Sequence, residues 1–544
     1  RAGQDAASVP PPSRQPAAPP LRGWQARALV AMRTWADSTA GPFLIAAAPG
    51  AGKTRPALEF AREQLRAGRV RRVAVICPTG PLTRQWAQAG AQLGVHLQPD
   101  ADDPRPPGDF HGIAVTYARV AQAGARWARQ VAGDTLVIAD EAHHLGDELA
   151  WGEGFLAAFG AVRDRWLLLS GTPFRSDQAA IPGMRYEDGV AVPDVSFTYA
   201  DAVREGICRP IAFIPYDGVL QWRSGEEVVE ASFADALTGR EAGRRYRTAI
   251  SVDLPDGLPR ILAAAHARLE GLRADGHPDA GALAITADAA HARAVAKVLR
   301  EVTGRPPVVV LHTDPRAAER LAAFTTSRER WLVAVNMVSE GVDIPRLRIG
   351  VYATAARTPL VFRQIAGRFV RTIPGRSIEP SWVYLPADPV LRAHASDVES
   401  ELRHVLRPPG EEDPEALDRL EVRRESEPTE AEPFVPVAAD VAPQLALFGP
   451  AGGGPAPVAA PAVAAFPPAV APAPDPGALP AYERRAILRD KRHRLVAELA
   501  RRDRSSHAEV NGWLNRETGV TRVGDATLPQ LERSVELLLR ALTR

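Results

Sequence analysis

The chain has 544 residues, 45% of them apolar, and a formal net charge of +1. It can bury several cores, and no run of about 18 apolar residues is free of charge or proline, which argues against a membrane span. Near-neutral charge excludes a global basic field, so any nucleic-acid contact must come from a local groove.

Residues 1–20 are rich in Pro and Ala and read as a disordered segment without the apolar core of a signal peptide. The opening at Arg1 fits a natural start that lies upstream. Nothing points to export, so a cytoplasmic protein is expected, and heavy Ala, Arg and Pro usage hints at a GC-rich bacterial source. Two cysteines, Cys77 and Cys208, are too few for a four-cysteine zinc or iron–sulfur site and read as reduced packing residues.

Short apolar runs at 43–46, 72–77, 113–116, 135–139 and 166–169 read as buried parallel strands, each followed by a turn and an amphipathic stretch. The same rhythm returns at 282–286, 308–311, 331–335, 349–353 and 381–385. The pattern predicts two α/β domains in series, over 21–215 and 259–405, joined by a connecting segment at 216–258. Residues 221–247 within it show mixed charge and no clear period. Residues 406–480 turn acidic and then Pro/Ala-rich and read as a disordered linker. Helical order returns over 481–544.

Lysine occurs only at Lys53, Lys297 and Lys491, and Lys53 lies in Ala48-Pro49-Gly50-Ala51-Gly52-Lys53-Thr54. A chain that elsewhere writes arginine keeps lysine where a compact ammonium must sit between phosphates. Strand 43–46, this glycine loop and a helix over 55–69 form the strand, loop and helix context of a phosphate loop, although position 47 is Ala where the strict pattern has Gly. The strand at 135–139 then delivers Asp140 and Glu141 to its C-terminal end, where parallel sheets collect ligand sites. An aspartate there can hold Mg²⁺ while the adjacent glutamate serves as general base toward water.

Asp140-Glu141-Ala142-His143-His144 resembles motif II of the superfamily 2 helicases, and further motifs follow in that family's order. The resemblance covers roughly residues 21–390 and implies two tandem RecA-like domains that hydrolyse ATP with Mg²⁺. Arg22 and Gln25 resemble the adenine-recognising element, Gln25 being suited to read the base edge. Thr54 and Asp140 would hold the metal, and Gly50, Gly52 and Lys53 the phosphates. Ser170-Gly171-Thr172-Pro173 is similar to motif III, with His143, Ser170 and Thr172 coupling ATP state to domain movement. Residues 339–345, including Ser339, Gly341 and Asp343, are similar to motif V. Gln364 and the pair Arg368 and Arg371 are similar to motif VI, the arginines sitting three apart on one helical face so that both reach across a cleft. Thr79, Gln85, Thr116, Thr286 and Ser339 are the expected nucleic-acid contacts, gripping phosphates rather than bases. The resemblance favours DNA over RNA.

Residues 481–544 carry 14 Lys/Arg against 9 Asp/Glu, and read as three short helices opened in part by capping boxes at Ser506 and Thr527. Nucleic-acid contact and docking of a protein partner both fit this module. The expected function is an ATP-dependent DNA helicase or translocase. A motor subunit of a restriction or defence system with a separate nuclease and an ATP-gated clamp that does not unwind remain open alternatives. An in-chain nuclease of the Asp/Glu-x-Lys type is not expected, because Ala51, Val295 and Arg489 stand two residues before the three lysines.

Overall fold

A computed structural model describes residues 20–543 apart from 39–40, 132, 148, 172–180, 188–189, 225–226, 238, 312, 336–343, 374–375, 377–378, 407–434 and 445–478. Two sheets follow one another along the chain, as the alternating apolar runs predict, and they are the cores of two tandem RecA-like lobes.

In the first lobe the strands are Phe43–Ala47 (β1), Arg72–Cys77 (β2), Leu97–Pro99 (β3), Gly112–Thr116 (β4), Thr135–Asp140 (β5), Trp166–Ser170 (β6) and, after a small hairpin of Tyr186–Glu187 (β7) with Val190–Ala191 (β8), Val195–Phe197 (β9). They pair in the order β3-β4-β2-β5-β6-β1-β9, all parallel. Successive residues of a strand face opposite sides, so Val73 and Val75 enter one core cluster while Ala74 and Ile76 enter the other. Both faces are thus covered, which is why these strands read as unbroken apolar runs.

The second lobe holds Ile211–Ser224 (β10), Glu227–Ala231 (β11), Gly281–Thr286 (β12), Val308–Val310 (β13), Trp331–Val335 (β14), Leu347–Ala353 (β15), Ser381–Pro386 (β16) and Val435–Pro443 (β17). The order is β11-β10-β16-β15-β12-β14-β13, with β17 also on β10. Strand β10 pairs β16 in parallel through residues 211–216, and its later half is flanked by β11 and β17 in antiparallel fashion.

These pairings change two sequence-based boundaries. Residues 216–258 are not a connecting segment: Tyr216, Leu220 and Trp222 are fully buried, and the helix Gly239–Ala249 packs on β10. Mixed charge masks this, because Arg244 and Arg245 are buried with their guanidiniums on Glu241 and on the carbonyls of Ser232 and Asp235. The presumed disordered linker likewise contains β17, which turns Ala439 and Val441 inward while Asp440 pairs with Arg260 at the surface.

Three helices, Ala481–Arg502, His507–Thr518 and Leu528–Thr543, form the C-terminal module. Ser506 and Glu509 make the expected capping box, and at the start of the last helix Gln530 Oε1 accepts both the Thr527 N–H at 2.9 Å and the Thr527 hydroxyl at 3.0 Å. The module docks on the first lobe. Asp109 accepts the backbone N–H of Leu528 at 2.9 Å, and the buried Arg485 lies over the Phe110 ring. Among the described residues no helix is long and apolar enough to cross a membrane.

Candidate nucleotide site between the two lobes

The loop after β1 turns through Gly50 and Gly52, both at positive φ (+83° and +86°), a region where a side chain is strained. The helix Thr54–Arg66 follows at once, so its free N–H groups face the loop. Lys53 is 9% exposed and its Nζ donates to Glu141 Oε1 at 3.0 Å. Gly171 N–H donates to the other oxygen of Glu141 at 3.2 Å. Glu141 holds a left-handed backbone, φ +49°, rare for a residue with a side chain. Such a conformation persists only where its surroundings enforce it, and it turns the carboxylate off the end of β5 toward the loop.

Asp140 is buried beside it. Trp86 Nε1 donates to Asp140 Oδ2 at 2.7 Å, the Glu141 N–H reaches Oδ1 at 3.1 Å, and the Tyr117 hydroxyl donates to the Asp140 carbonyl at 2.8 Å. Burial and the neighbouring Glu141 push the Asp140 carboxyl up to about 6, against the pull of Lys53 and Trp86. Burial also raises Glu141, but the Lys53 ammonium, His143 and the Gly171 N–H outweigh it and hold that carboxyl below its ordinary range. A carboxylate raised by burial and by a neighbouring carboxylate gains from a cation, and Asp140 with the Thr54 hydroxyl at the helix start offers hard oxygen donors of the kind Mg²⁺ takes.

Arg22 and Gln25 clasp the loop from the side of the helix Gly23–Ala36. Arg22 Nη1 donates to the Ala51 carbonyl at 3.1 Å and Gln25 Nε2 to the Gly52 carbonyl at 3.0 Å, while Gln25 Oε1 accepts the Arg22 N–H. Both ends of the Gln25 amide are therefore engaged within the chain.

From the second lobe, Gln364 Nε2 lies 3.4 Å from His143 Nε2, and His143 Nδ1 lies 3.1 Å from Ser170 Oγ. His143 thus links motif II to Ser170 on one side and to the opposite lobe on the other. Gly367 approaches Pro49 so closely that a Cβ there would stand 2.9 Å from the proline Cβ, and a Cβ on Gly50 would stand 2.8 Å from Arg371 Nη1. A cavity of about 280 Å³ opens beside this contact, lined by Ala46, Pro49, Gly171, Arg363 and Gly367 among others.

Two readings need correction. Arg368 and Arg371 do not share a helical face, because the helix Pro359–Ala366 ends at Gly367. Phe369 and Val370 then plunge into the core, and Arg371 enters an extended bridge with Cys208. Arg371 reaches the phosphate loop by that extended route. Thr286 is fully buried and donates its hydroxyl to the Ala334 carbonyl at 3.0 Å, so it is a packing residue with no surface for a strand to touch. Of the other expected contacts, Gln85 is exposed, Thr79 precedes the helix Gly80–Gln92, and Thr116 caps the next helix by accepting the Arg119 N–H. Thr172, Ser339, Gly341 and Asp343 lie outside the described residues. The role of Trp86 was not legible as an Asp140 partner, although its place in the motif beside Gln85 marks the helix that carries it.

Fold and site together define a helicase-like protein of superfamily 2, two lobes meeting over one phosphate loop. Residues 19–175 match the family model described as the Type III restriction enzyme, res subunit. Uncharacterized protein Rv2917 of Mycobacterium tuberculosis is 44% identical over 405 residues, or 72% of this chain and 66% of that relative. The chain therefore spans just under two thirds of the relative's length. Among solved structures, the ATP-dependent Type ISP restriction-modification enzyme LlaBIII bound to DNA aligns over 71% of this chain and 30% of its own, with a TM-score of 0.47 and 14% identity. S. cerevisiae Dbp5 bound to RNA and ADP BeF3 aligns over 70% and 87%, with a TM-score of 0.45 and 14% identity.

Proposed function

We propose that the chain is an ATP-dependent nucleic-acid helicase or translocase, with DNA as the favoured track. The observation that carries this reading is the meeting of Gln364, Gly367 and Arg371 from the second lobe with His143, Pro49 and Gly50 of the first. A site completed by two lobes ties hydrolysis to their relative movement, which is what a motor needs and a simple phosphatase does not.

Lys53 is the phosphate ligand, with Gly50, Ala51 and Gly52 supplying the loop and Thr54 and Asp140 the metal ligands. Mg²⁺, when bound there, neutralises charge on the transferring phosphoryl group. A triphosphate entering the loop competes with Glu141 for Lys53, and release of the Lys53 ammonium lets the Glu141 carboxyl rise toward its ordinary range. Glu141 then accepts the proton of the attacking water more readily. Arg371 supplies positive charge from across the cleft, with Arg368 beside it in motif VI, and Gln364 reports the occupied loop through His143 and Ser170; Gly341, Asp343 and Thr172 are assigned to the site by their motifs alone.

A second reading, favoured by the restriction-subunit family match over residues 19–175, is a motor that serves a nuclease on another chain. ATPase stimulation by single-stranded DNA, duplex DNA and RNA, run beside a labelled-fork unwinding assay, separates these readings. Stimulation by DNA with unwinding is expected for a helicase. Duplex stimulation without unwinding would favour the translocating restriction motor, and stimulation by RNA alone would overturn the DNA assignment.

A further inference from the structure

Between the last helix of the first lobe, Tyr199–Arg204, and β10 the chain crosses from lobe to lobe through residues 205–210. This short strap touches both halves of the nucleotide site. On one side the Cys208 thiol donates to the Pro49 carbonyl of the phosphate loop at 3.4 Å. On the other, Cys208 forms an antiparallel bridge with Arg371. The Arg209 N–H donates to the Val370 carbonyl at 2.7 Å, and the Thr372 hydroxyl donates to the Ile207 carbonyl at 2.9 Å.

Arg209 makes the tightest part of this join. It is 5% exposed, and its guanidinium bonds to backbone: Nε donates to the Arg371 carbonyl at 2.5 Å and Nη2 to the Pro345 carbonyl at 3.2 Å. The charges around it are mostly of its own sign, with Arg348 and Arg376 nearby and Glu379 the main counterweight. Burial brings its pKa down to about 9, which still leaves it charged at neutral pH. A buried arginine kept among like charges is costly, and here its donors hold the peptide of the residue that crosses to Gly50.

We propose that Arg209 is a positioning residue, which with Thr372 pins the Arg371 peptide to the interlobe strap and so aims the Arg371 guanidinium at the phosphate loop. This rests on the reading of Arg371 as the residue that supplies charge across the cleft. Neither Arg209 nor Thr372 bonds to the phosphate loop itself; their partners are the carbonyls of Arg371, Pro345 and Ile207. Their effect passes through Arg371, because an extended backbone such as that of residues 370–372 has no helix of its own to orient it.

The test is a double-mutant cycle on ATP hydrolysis by the full chain, with nucleotide binding followed by a fluorescent analogue and folding by thermal melting. Arg371→Ala is expected to lower kcat by about 10³-fold or more. Arg209→Ala should lower kcat by roughly 10- to 100-fold, the scale of a misplaced catalytic group, with KM within about twofold. Arg209→Lys keeps the charge but not the fork and should fall between. In the Arg371→Ala background, Arg209→Ala should cost nothing further. An equal loss in both backgrounds would overturn the proposal and leave Arg209 a merely structural residue. If Arg371→Ala hydrolyses at the wild-type rate, the assignment of Arg371 fails, and the positioning role with it. Should Arg209→Ala not fold, the same cycle with Thr372→Val decides the matter on the same criteria, with a smaller expected loss.

Discussion

Replacing Gly367 with alanine isolates the contact between the lobes from every other property of the site. Gly367 has φ −58° and ψ −16°, values any residue adopts, so the methyl adds no backbone strain and by itself stabilises by about 0.4–1 kcal/mol through the unfolded chain. Its new carbon would lie 2.9 Å from Pro49 Cβ, 3.0 Å from Pro49 Cγ and 3.2 Å from the Arg363 carbonyl. Carbon atoms rest at roughly 3.5–4.0 Å, so the motif VI segment must withdraw from the loop by about 0.5–1 Å. A misplacement of that size costs on the order of 10²-fold in rate, and Arg371, four residues on, moves with it. Steady-state ATP hydrolysis should therefore show kcat down by about 10- to 100-fold, while fluorescent-nucleotide affinity and the melting midpoint stay near wild type. Gly271→Ala is the control. That glycine lies in the helix Leu258–Ala274 with nothing within 4 Å of an added methyl, and should leave kcat unchanged. A folded Gly367→Ala enzyme with wild-type kcat would refute the idea that hydrolysis takes place with the lobes in this contact.

Glu141→Gln should keep nucleotide binding and lose about 10²- to 10⁴-fold in turnover, read by binding titration beside single-turnover hydrolysis; normal turnover would defeat the general-base role. Trp86→Phe keeps an aromatic ring but leaves Asp140 Oδ2 without its donor and part of the buried indole space unfilled, so denaturant unfolding should show a loss of at least about 1–3 kcal/mol and the Mg²⁺ needed for half-maximal activity should rise. Thr286→Val, close in shape, should lower stability by about 0.5–1.5 kcal/mol and leave nucleic-acid affinity unaltered; a tenfold affinity loss would restore it as a contact. Asp109→Ala removes the acceptor at the start of the helix Leu528–Thr543, and limited proteolysis should then cut the C-terminal module free sooner than in the parent chain.

Which parts of this architecture were legible depended on how far each feature reaches along the chain. Strands β2, β5 and β6 are sandwiched between two cores, so burial itself writes an apolar run that no other environment demands. The phosphate loop is equally local: two glycines at positive φ and one lysine within five residues state its chemistry. Strands β3 and β9 have three residues each, too few for any periodicity to register. Strand β17 sits among alanines and prolines, and it is the distant β10, with the helices Gly239–Ala249 and Leu258–Ala274, that gives Ala439 and Val441 something to bury against. The Arg368 and Arg371 reading failed for a related reason. A spacing of three implies a shared face only while the helix continues, and Gly367 ends it. What replaces the helix is a bridge to Cys208, from a segment whose own sequence carries no motif. Residues proposed to bind the phosphates are thus announced by their neighbours in sequence, whereas residues that bring the lobes into contact, Arg209 and Gly367 foremost, acquire meaning from partners far away in the chain. Substitutions of the second kind should separate catalysis from nucleotide binding more cleanly than substitutions in the loop itself, since they alter where groups sit without removing any group that touches the triphosphate.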